Sequence, residues 1–173
     1  MAKNTLRIEL EYPQKELKNI LLVLEDNSIL NYDKEDVFIF KDSPKEVLRL
    51  NFHNSNVNNA ELFKKVVDYH LCNIKKSRYL DLILSDNKIT NKNFEIMLWY
   101  FTPLMDKLHK LDLSGNMIDK KGLQKLFQFL SSCHNLEMLY FDKNFVTESQ
   151  FKELLENSYL SQKLKNKLIY KSI

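Results

Sequence analysis

The sequence predicts an α/β solenoid, with a curved parallel sheet on its concave side and helices on its convex side. Three observations predict it. A leucine and asparagine template returns about every 28 residues, and self-similarity at such a period marks repeat architectures. Between copies the apolar period changes from two residues to three or four, the change from strand to helix. Glycine occurs twice and proline three times in 173 residues, which leaves little room for long irregular loops. With 44% hydrophobic and 28% charged residues the chain can bury a core, and a disordered or fibrous chain is excluded.

The template is clearest as Leu108-x-x-Leu111-x-Leu113-x-x-Asn116-x-Ile118. It returns as Leu136-x-x-Leu139-x-Phe141-x-x-Asn144-x-Val146, and earlier as Tyr79-x-x-Leu82-x-Leu84-x-x-Asn87-x-Ile89. These asparagines are 29 and 28 positions apart. A fourth copy is Val47-x-x-Leu50-x-Phe52-x-x-Ser55-x-Val57, with Ser55 32 positions before Asn87. A fifth, degenerate copy is Leu22-x-Leu24-x-x-Asn27-x-Ile29. The Leu-x-Leu core of each copy predicts a short strand with one buried face. The asparagine falls at the following turn. There its amide can bond backbone of the neighbouring copy that would otherwise stay unsatisfied inside the stack.

The helices follow. After Asn116, one face carries Gly122, Leu123, Leu126, Phe127 and Leu130. After Asn87 the face is Asn93, Phe94, Met97, Leu98 and Phe101, and after Asn144 it is Gln150, Phe151, Leu154, Leu155 and Ser158. After Ser55 the same offsets select Glu61, Leu62, Lys65, Val66 and Tyr69. Thr147-x-x-Gln150 reads as a capping box, Asn58-x-x-Glu61 resembles one, and Asp119 reads as an N-cap. Pro103 should end the helix that begins near Asn91.

The ends depart from the pattern. Leu6, Ile8 and Leu10 alternate with charged residues, and Val37 to Phe40 reads as a strand where a true repeat would hold a helix. Residues 1–46 are therefore expected to form an N-terminal cap, with the degenerate copy inside it. Residues 47–146 hold the repeats. Residues 147–173 hold the last repeat helix and a C-terminal cap, with Leu160, Leu164, Leu168 and Ile169 on its apolar side. No single unit can bury its own apolar face, so stacking closes the core.

These residues resemble the leucine-rich repeat family, in its ribonuclease-inhibitor-like subclass. The match is best from Leu108 through Asn144, including Gly122. The resemblance implies a protein-binding module that serves as a small scaffold or adaptor subunit of a larger assembly. It also implies a structural role for Cys133, in the helix-to-strand loop.

Strand positions between the leucines lie in columns on the concave face. One column is Arg49, Asp81, Lys110 and Met138; the next is Asn51, Ile83, Asp112 and Tyr140; the third is His53, Ser85, Ser114 and Asp142. In the degenerate copy Leu21, Val23 and Glu25 take these places. Free of the core, these residues should reflect what they touch. The acids Asp81, Asp112 and Asp142 beside Ile83, Met138 and Tyr140 have the look of a protein-binding patch. With few units, the arc should offer on the order of 800 Å² to a partner. Trp99, Tyr100 and Phe101 are adjacent on one helix, so at least one must face outward.

Catalytic readings are poor. No two of His53, His70, His109 and His134 share metal-ligand spacing. His109 and Asp112 are three apart on a strand, which should place them on opposite faces. Gly115 and Gly122 stand alone, so no phosphate-cradling loop is present. The chain is expected to be no enzyme, to use no cofactor or metal, and to bind no small-molecule substrate. Cys72 and Cys133 make neither a disulfide framework nor a zinc cluster. The longest aliphatic run, Ile20 to Leu24, is far short of a membrane span. No signal-type apolar segment follows the early charges, so an intracellular, cytoplasmic place is expected. A net charge of +3 makes nucleic acid an improbable partner. Two alternatives stay open: a pathogen effector binding a host protein, and a nucleic-acid-associated structural protein using the C-terminal lysines Lys163, Lys165, Lys167 and Lys171.

Overall fold

Alternating leucines become strands, and the stretches of helical period become helices. The computed structural model describes residues 6–9, 37–42, 45–54, 57–166 and 168. Two strands come first, β1 (Leu6–Glu9) and β2 (Val37–Asp42). Strand and helix then alternate: β3 (Lys45–Asn51), α1 (Ala60–Lys76), β4 (Tyr79–Ile83), α2 (Asn91–Phe101), β5 (Leu108–Asp112), α3 (Lys120–Leu130), β6 (Met138–Tyr140) and α4 (Glu148–Glu156). A short α5 (Gln162–Lys165) follows. The fold is mixed α/β. The six strands form one open sheet in sequence order. Strands β1 and β2 pair antiparallel onto β3, and β3 to β6 are parallel. The extra N-terminal strands thus extend the sheet from its first parallel strand. The degenerate copy, with Leu21, Leu22, Val23, Leu24, Glu25, Asn27 and Ile29, lies outside the described residues.

The asparagines bind each unit to the one before it. Asn87 Nδ2 donates to the carbonyl of Phe52, Asn116 Nδ2 to that of Leu84, and Asn144 Nδ2 to that of Leu113. Their side-chain oxygens accept from Val57, from Asn87 and Ile89, and from Ile118. These are buried backbone groups that no strand partner satisfies. Each turn also carries a left-handed residue just before the asparagine or serine: Asn54, Asp86, Gly115 and Lys143, with φ between 50° and 66°. Only Gly115 adopts it without a Cβ penalty.

The core lies between the sheet and the helices. Leu48, Leu50, Leu80, Leu82, Leu108, Leu111 and Leu113 meet Phe63, Phe94, Met97, Leu123, Leu126 and Phe151 in one buried cluster. An aromatic seam links successive helices. Phe101 lies 5.0 Å from Phe63 and 5.7 Å from Phe129, and Phe127 lies 5.5 Å from Phe151, by ring centroid. Gly122 lets α3 approach its neighbour closely: a Cβ there would fall 2.5 Å from Asn91 Oδ1 and from Ile118 Cγ2. At the C-terminal end Leu160, Leu164 and Leu168 are buried. Ile169 lies outside the described residues.

Three local expectations need correction. Among the described side chains of α1 the buried ones are Ala60, Phe63, Val67 and Ile74, while Glu61 and Lys65 are exposed; the side chains of Leu62, Val66 and Tyr69 lie outside the described residues. Phe63 stands eight positions after Ser55, whereas Leu123, Phe94 and Phe151 stand seven after their asparagines. One extra residue before the helix sets the buried Phe63 one position later than the template. For the same reason Asn59, not Asn58, caps it, with Asn59 Oδ1 accepting from Glu61 N. Lastly, Val47 and Tyr79 are only half-buried, and Leu48 and Leu80 take the core positions.

The other caps form as expected. Thr147 and Gln150 make a reciprocal capping box. The helix from Asn91 ends at Phe101, where a 3-10 turn holding Pro103 begins. Asp119 accepts from the backbone of Lys121 and Gly122. Hydrogen bonding from the Asn91 side chain, then from these backbone groups, holds its carboxyl below the usual value of 3.8. A lowered folded pKa adds stability above the unfolded value, and that stability is lost as pH falls through the folded one. Asp119→Ala should therefore cost about 1 kcal/mol at neutral pH and progressively less below about pH 4. Thermal melts of both chains across that range check it.

Candidate protein-binding face

The side chains that point away from the helices come together in the expected columns. Arg49 pairs in register with Asp81, Asp81 with Lys110, and Lys110 with Met138. Asn51 pairs with Ile83, Ile83 with Asp112, and Asp112 with Tyr140. Beyond the strands His53 Nδ1 lies 3.0 Å from Ser85 Oγ and 3.4 Å from Asp86 Oδ2. The backbone of Gly115 bonds the carbonyl of Asp142.

Not all of these side chains are open to a partner. Asp81 is 4% exposed and Asp142 3% exposed, and Ser85 is buried too. The expectation that the whole face stands free of burial fails at these positions. Asp81 sits between two neighbours that cover it. Arg49 donates to Oδ2 at 3.0 Å, and His109 Nδ1 lies 3.0 Å from Oδ1. The other ring nitrogen of His109 lies 3.3 Å from Glu137 Oε2. Arg49, Asp81, His109 and Glu137 thus form a chain of polar contacts that crosses the parallel strands. The Tyr79 ring lies 5.3 Å from that of His109, and the Arg78 guanidinium lies 5.4 Å from the Tyr79 ring.

His109, Glu137 and Tyr79 were absent from the columns read off the sequence. The cause is an irregularity in β5. Leu80 pairs with Leu108 but Asp81 pairs with Lys110, so His109 is an extra residue. It puts the imidazole beside Asp81 on the strand face, against the expectation that His109 and Asp112 point to opposite faces. A signal was available: Leu108 and Leu111 are both buried yet three positions apart, which a regular pleat does not permit.

What stays accessible is a smaller patch. Met138 is exposed, and Ile83, Asp112, Lys110 and Tyr140 are half-buried. The Lys110 ammonium lies 4.6 Å from the centre of the Tyr140 ring, a cation–π contact. Asp112 Oδ1 accepts from the backbone and hydroxyl of Ser114. His53, Asp86 and Glu137 rim the patch with exposed polar groups.

No model of a known protein family matches the chain, and no curated protein matches it. The features that remain are local. Trp99 is 78% exposed on the outer face of α2, beside exposed Ile96, while Phe101 is buried and Tyr100 is half-buried. Met117 and Phe145 are exposed in successive turns. Cys133 is buried, and desolvation, then the nearby Asp106 carboxylate, pushes its thiol up to about 12, which makes it a poor nucleophile. It lines a half-open groove with His134, Tyr159, Ser161 and Leu164. Among the described residues no group of three or more His, Cys, Asp or Glu could hold a metal ion, and no helix is long and apolar enough to cross a membrane. Lys165 Nζ bonds the carbonyl of Glu156. Lys167 and Lys171 lie outside the described residues.

Proposed function

We propose that the chain is a leucine-rich-repeat solenoid of the ribonuclease-inhibitor-like kind, and that its strand face binds a protein as a non-catalytic adaptor or scaffold subunit. The repeat reading draws support from the side-chain amides of Asn87, Asn116 and Asn144, each of which bonds backbone of its own and the preceding unit. The binding reading rests on one observation. Ile83, Met138 and Tyr140 present apolar surface among charged groups, on the sheet face that takes no part in the core. Apolar anchors inside a polar rim are the usual anatomy of a recognition patch.

The test is affinity capture from lysate of cells that express the chain, with an Ile83→Ser/Tyr140→Ser variant beside the wild type. Asp81 is left intact, because its removal would strand buried charge and confuse binding with folding. A protein captured by the wild type and lost with an equally stable variant is the expected result. Equal capture by both would reject this face as the binding site.

A further inference from the structure

The positive charge of the chain is concentrated on its outer helices. Across α1, α2 and α3 the sequence has eight lysines against three acids, whereas α4 has one lysine against three glutamates. Some of those lysines are engaged. Lys64 pairs with Asp68, Lys120 pairs with Glu153, and Lys121 stands near the Asp119 carboxylate. Lys65, Lys75, Lys92 and Lys125 are exposed and enter none of the ion pairs among the described residues. The acids of these three helices left unpaired in the same way are Glu61 and Glu95.

Trp99 stands within this surface. Its helix, α2, packs between α1 and α3. Trp99 is 78% exposed, and Ile96 is exposed one turn before it. Counted from the buried Phe63, Phe94 and Leu123, Ile96 shares its helical position with Lys65 on one side and Lys125 on the other. By the same count Trp99 shares its position with Asp68, which Lys64 pairs, and with Gln128. The apolar pair is thus flanked by two unpaired cations, on the side of the sheet away from the strand face. Tryptophan is among the side chains most enriched at the anchors of recognition sites.

We infer that the outer face of α2 is a second docking site, separate from the strand face, and that its occupant is an acidic segment of another protein. That segment would seat an apolar side chain against Trp99 and Ile96, with aspartate or glutamate on either side to meet Lys65 and Lys125. Axes of helices in contact lie about 8–10 Å apart, so the crossing from α1 to α3 is about 16–20 Å. About five or six extended residues, or a helix of about a dozen, cover it. A lipid surface fits less well, because the exposed apolar pair is small and Glu95 adjoins Ile96. A nucleic-acid strand fits less well too, because the Asp68 carboxylate shares the position of Trp99 on the neighbouring helix.

Trp99 is the only tryptophan in the sequence, so its fluorescence reads this site directly. The experiment uses the full chain and random peptides of about sixteen residues displayed on phage, longer than the helical crossing. The pool is first depleted on an Ile96→Ser/Trp99→Ser variant, which removes peptides bound elsewhere, the strand face included. Enriched peptides without tryptophan are then titrated against the wild type and a Lys65→Gln/Lys125→Gln variant. All four positions are exposed, and melting curves verify that both variants remain folded.

Enriched peptides should be rich in aspartate and glutamate around an apolar residue, and Trp99 emission should move to shorter wavelength as they bind. Their affinity should fall about tenfold with the glutamine variant and weaken as salt is raised. Peptides with no acidic excess, or indifferent to the glutamine variant, would overturn the acidic segment as occupant. Phosphatidylserine vesicles and single-stranded oligothymidine are titrated in parallel. Tighter binding of either, with the same shift at Trp99, would overturn the inference in favour of lipid or nucleic acid. A pool left empty by the depletion would overturn the docking site itself and leave the strand face untouched.

Discussion

Replacing Asn116 with alanine is expected to lower stability by about 3–5 kcal/mol. The side chain is buried, and it makes five hydrogen bonds to backbone. Its oxygen accepts from Asn87 and Ile89 at 3.1 and 3.0 Å. Its amide donates to the carbonyls of Leu84, Leu113 and Ser114. Alanine removes all five and leaves the N–H groups of Asn87 and Ile89 and the carbonyl of Leu84, on buried residues, without this partner. Each such group costs about 1–3 kcal/mol, and partial relaxation keeps the total below their sum. A domain of this size has about 5–15 kcal/mol in all, so the variant should lie near the edge of folding. Asn144→Ala is the internal comparison. Asn144 is only half-buried, at the last turn of the series, where water can reach some of the freed groups, so its loss should be smaller. Denaturant midpoints measure both. A cost under about 1 kcal/mol at Asn116 would mean that the turns do not depend on these bonds.

Asp81→Ala should cost about 2–4 kcal/mol, toward the lower end for breaking a buried ion pair. The carboxylate is 5% exposed and lies between Arg49 and His109. Without it Arg49 and His109 lose a partner that water cannot fully replace. One feature softens the loss: the Arg49 side chain is 37% exposed and can turn toward solvent. A double-mutant cycle separates pairing from packing. Arg49→Met in the Asp81→Ala background should cost less than Arg49→Met alone, with a coupling of about 1–3 kcal/mol. Additive losses would show that the Arg49–Asp81 pair contributes nothing to stability.

Much of this was legible in the sequence because the physics is periodic. The pairing of Arg49 with Asp81 and of Ile83 with Asp112 follows from the leucine spacing alone, since core leucines fix the register of everything between them. The roles of Asn87, Asn116 and Asn144 were readable because a buried turn needs a side-chain amide. What failed was whatever depends on one residue more or less. Phe63 is buried eight positions after Ser55, where the template counts seven. The extra residue in β5 placed His109 on the strand face. The burial of Asp81 could not be read from its own column, which holds Arg49 but not His109, the residue that covers its other side. The left-handed turns were hidden too, since Gly115 marks one of them and Asn54, Asp86 and Lys143 occupy the others.

The amide bonds also limit how a chain of this kind can change its length. Asn87 and Asn116 offer identical chemistry to whatever lies before and after them, 29 residues apart. Excising residues 88–116 would join Asn87 to Met117 and Ile118, restoring the Asn-x-Ile order, and would bring the carbonyl of Leu84 to the place where Asn144 now meets Leu113. Every joint would find an equivalent partner. An excision that removes less or more than a whole unit, 29 residues here or 28 between Asn116 and Asn144, would shift the leucines against the amides and leave polar backbone inside. Growth and shrinkage by whole segments are therefore cheap for this architecture, and a loss or gain of a few residues is tolerated only in the loops, as the longer approach to α1 illustrates.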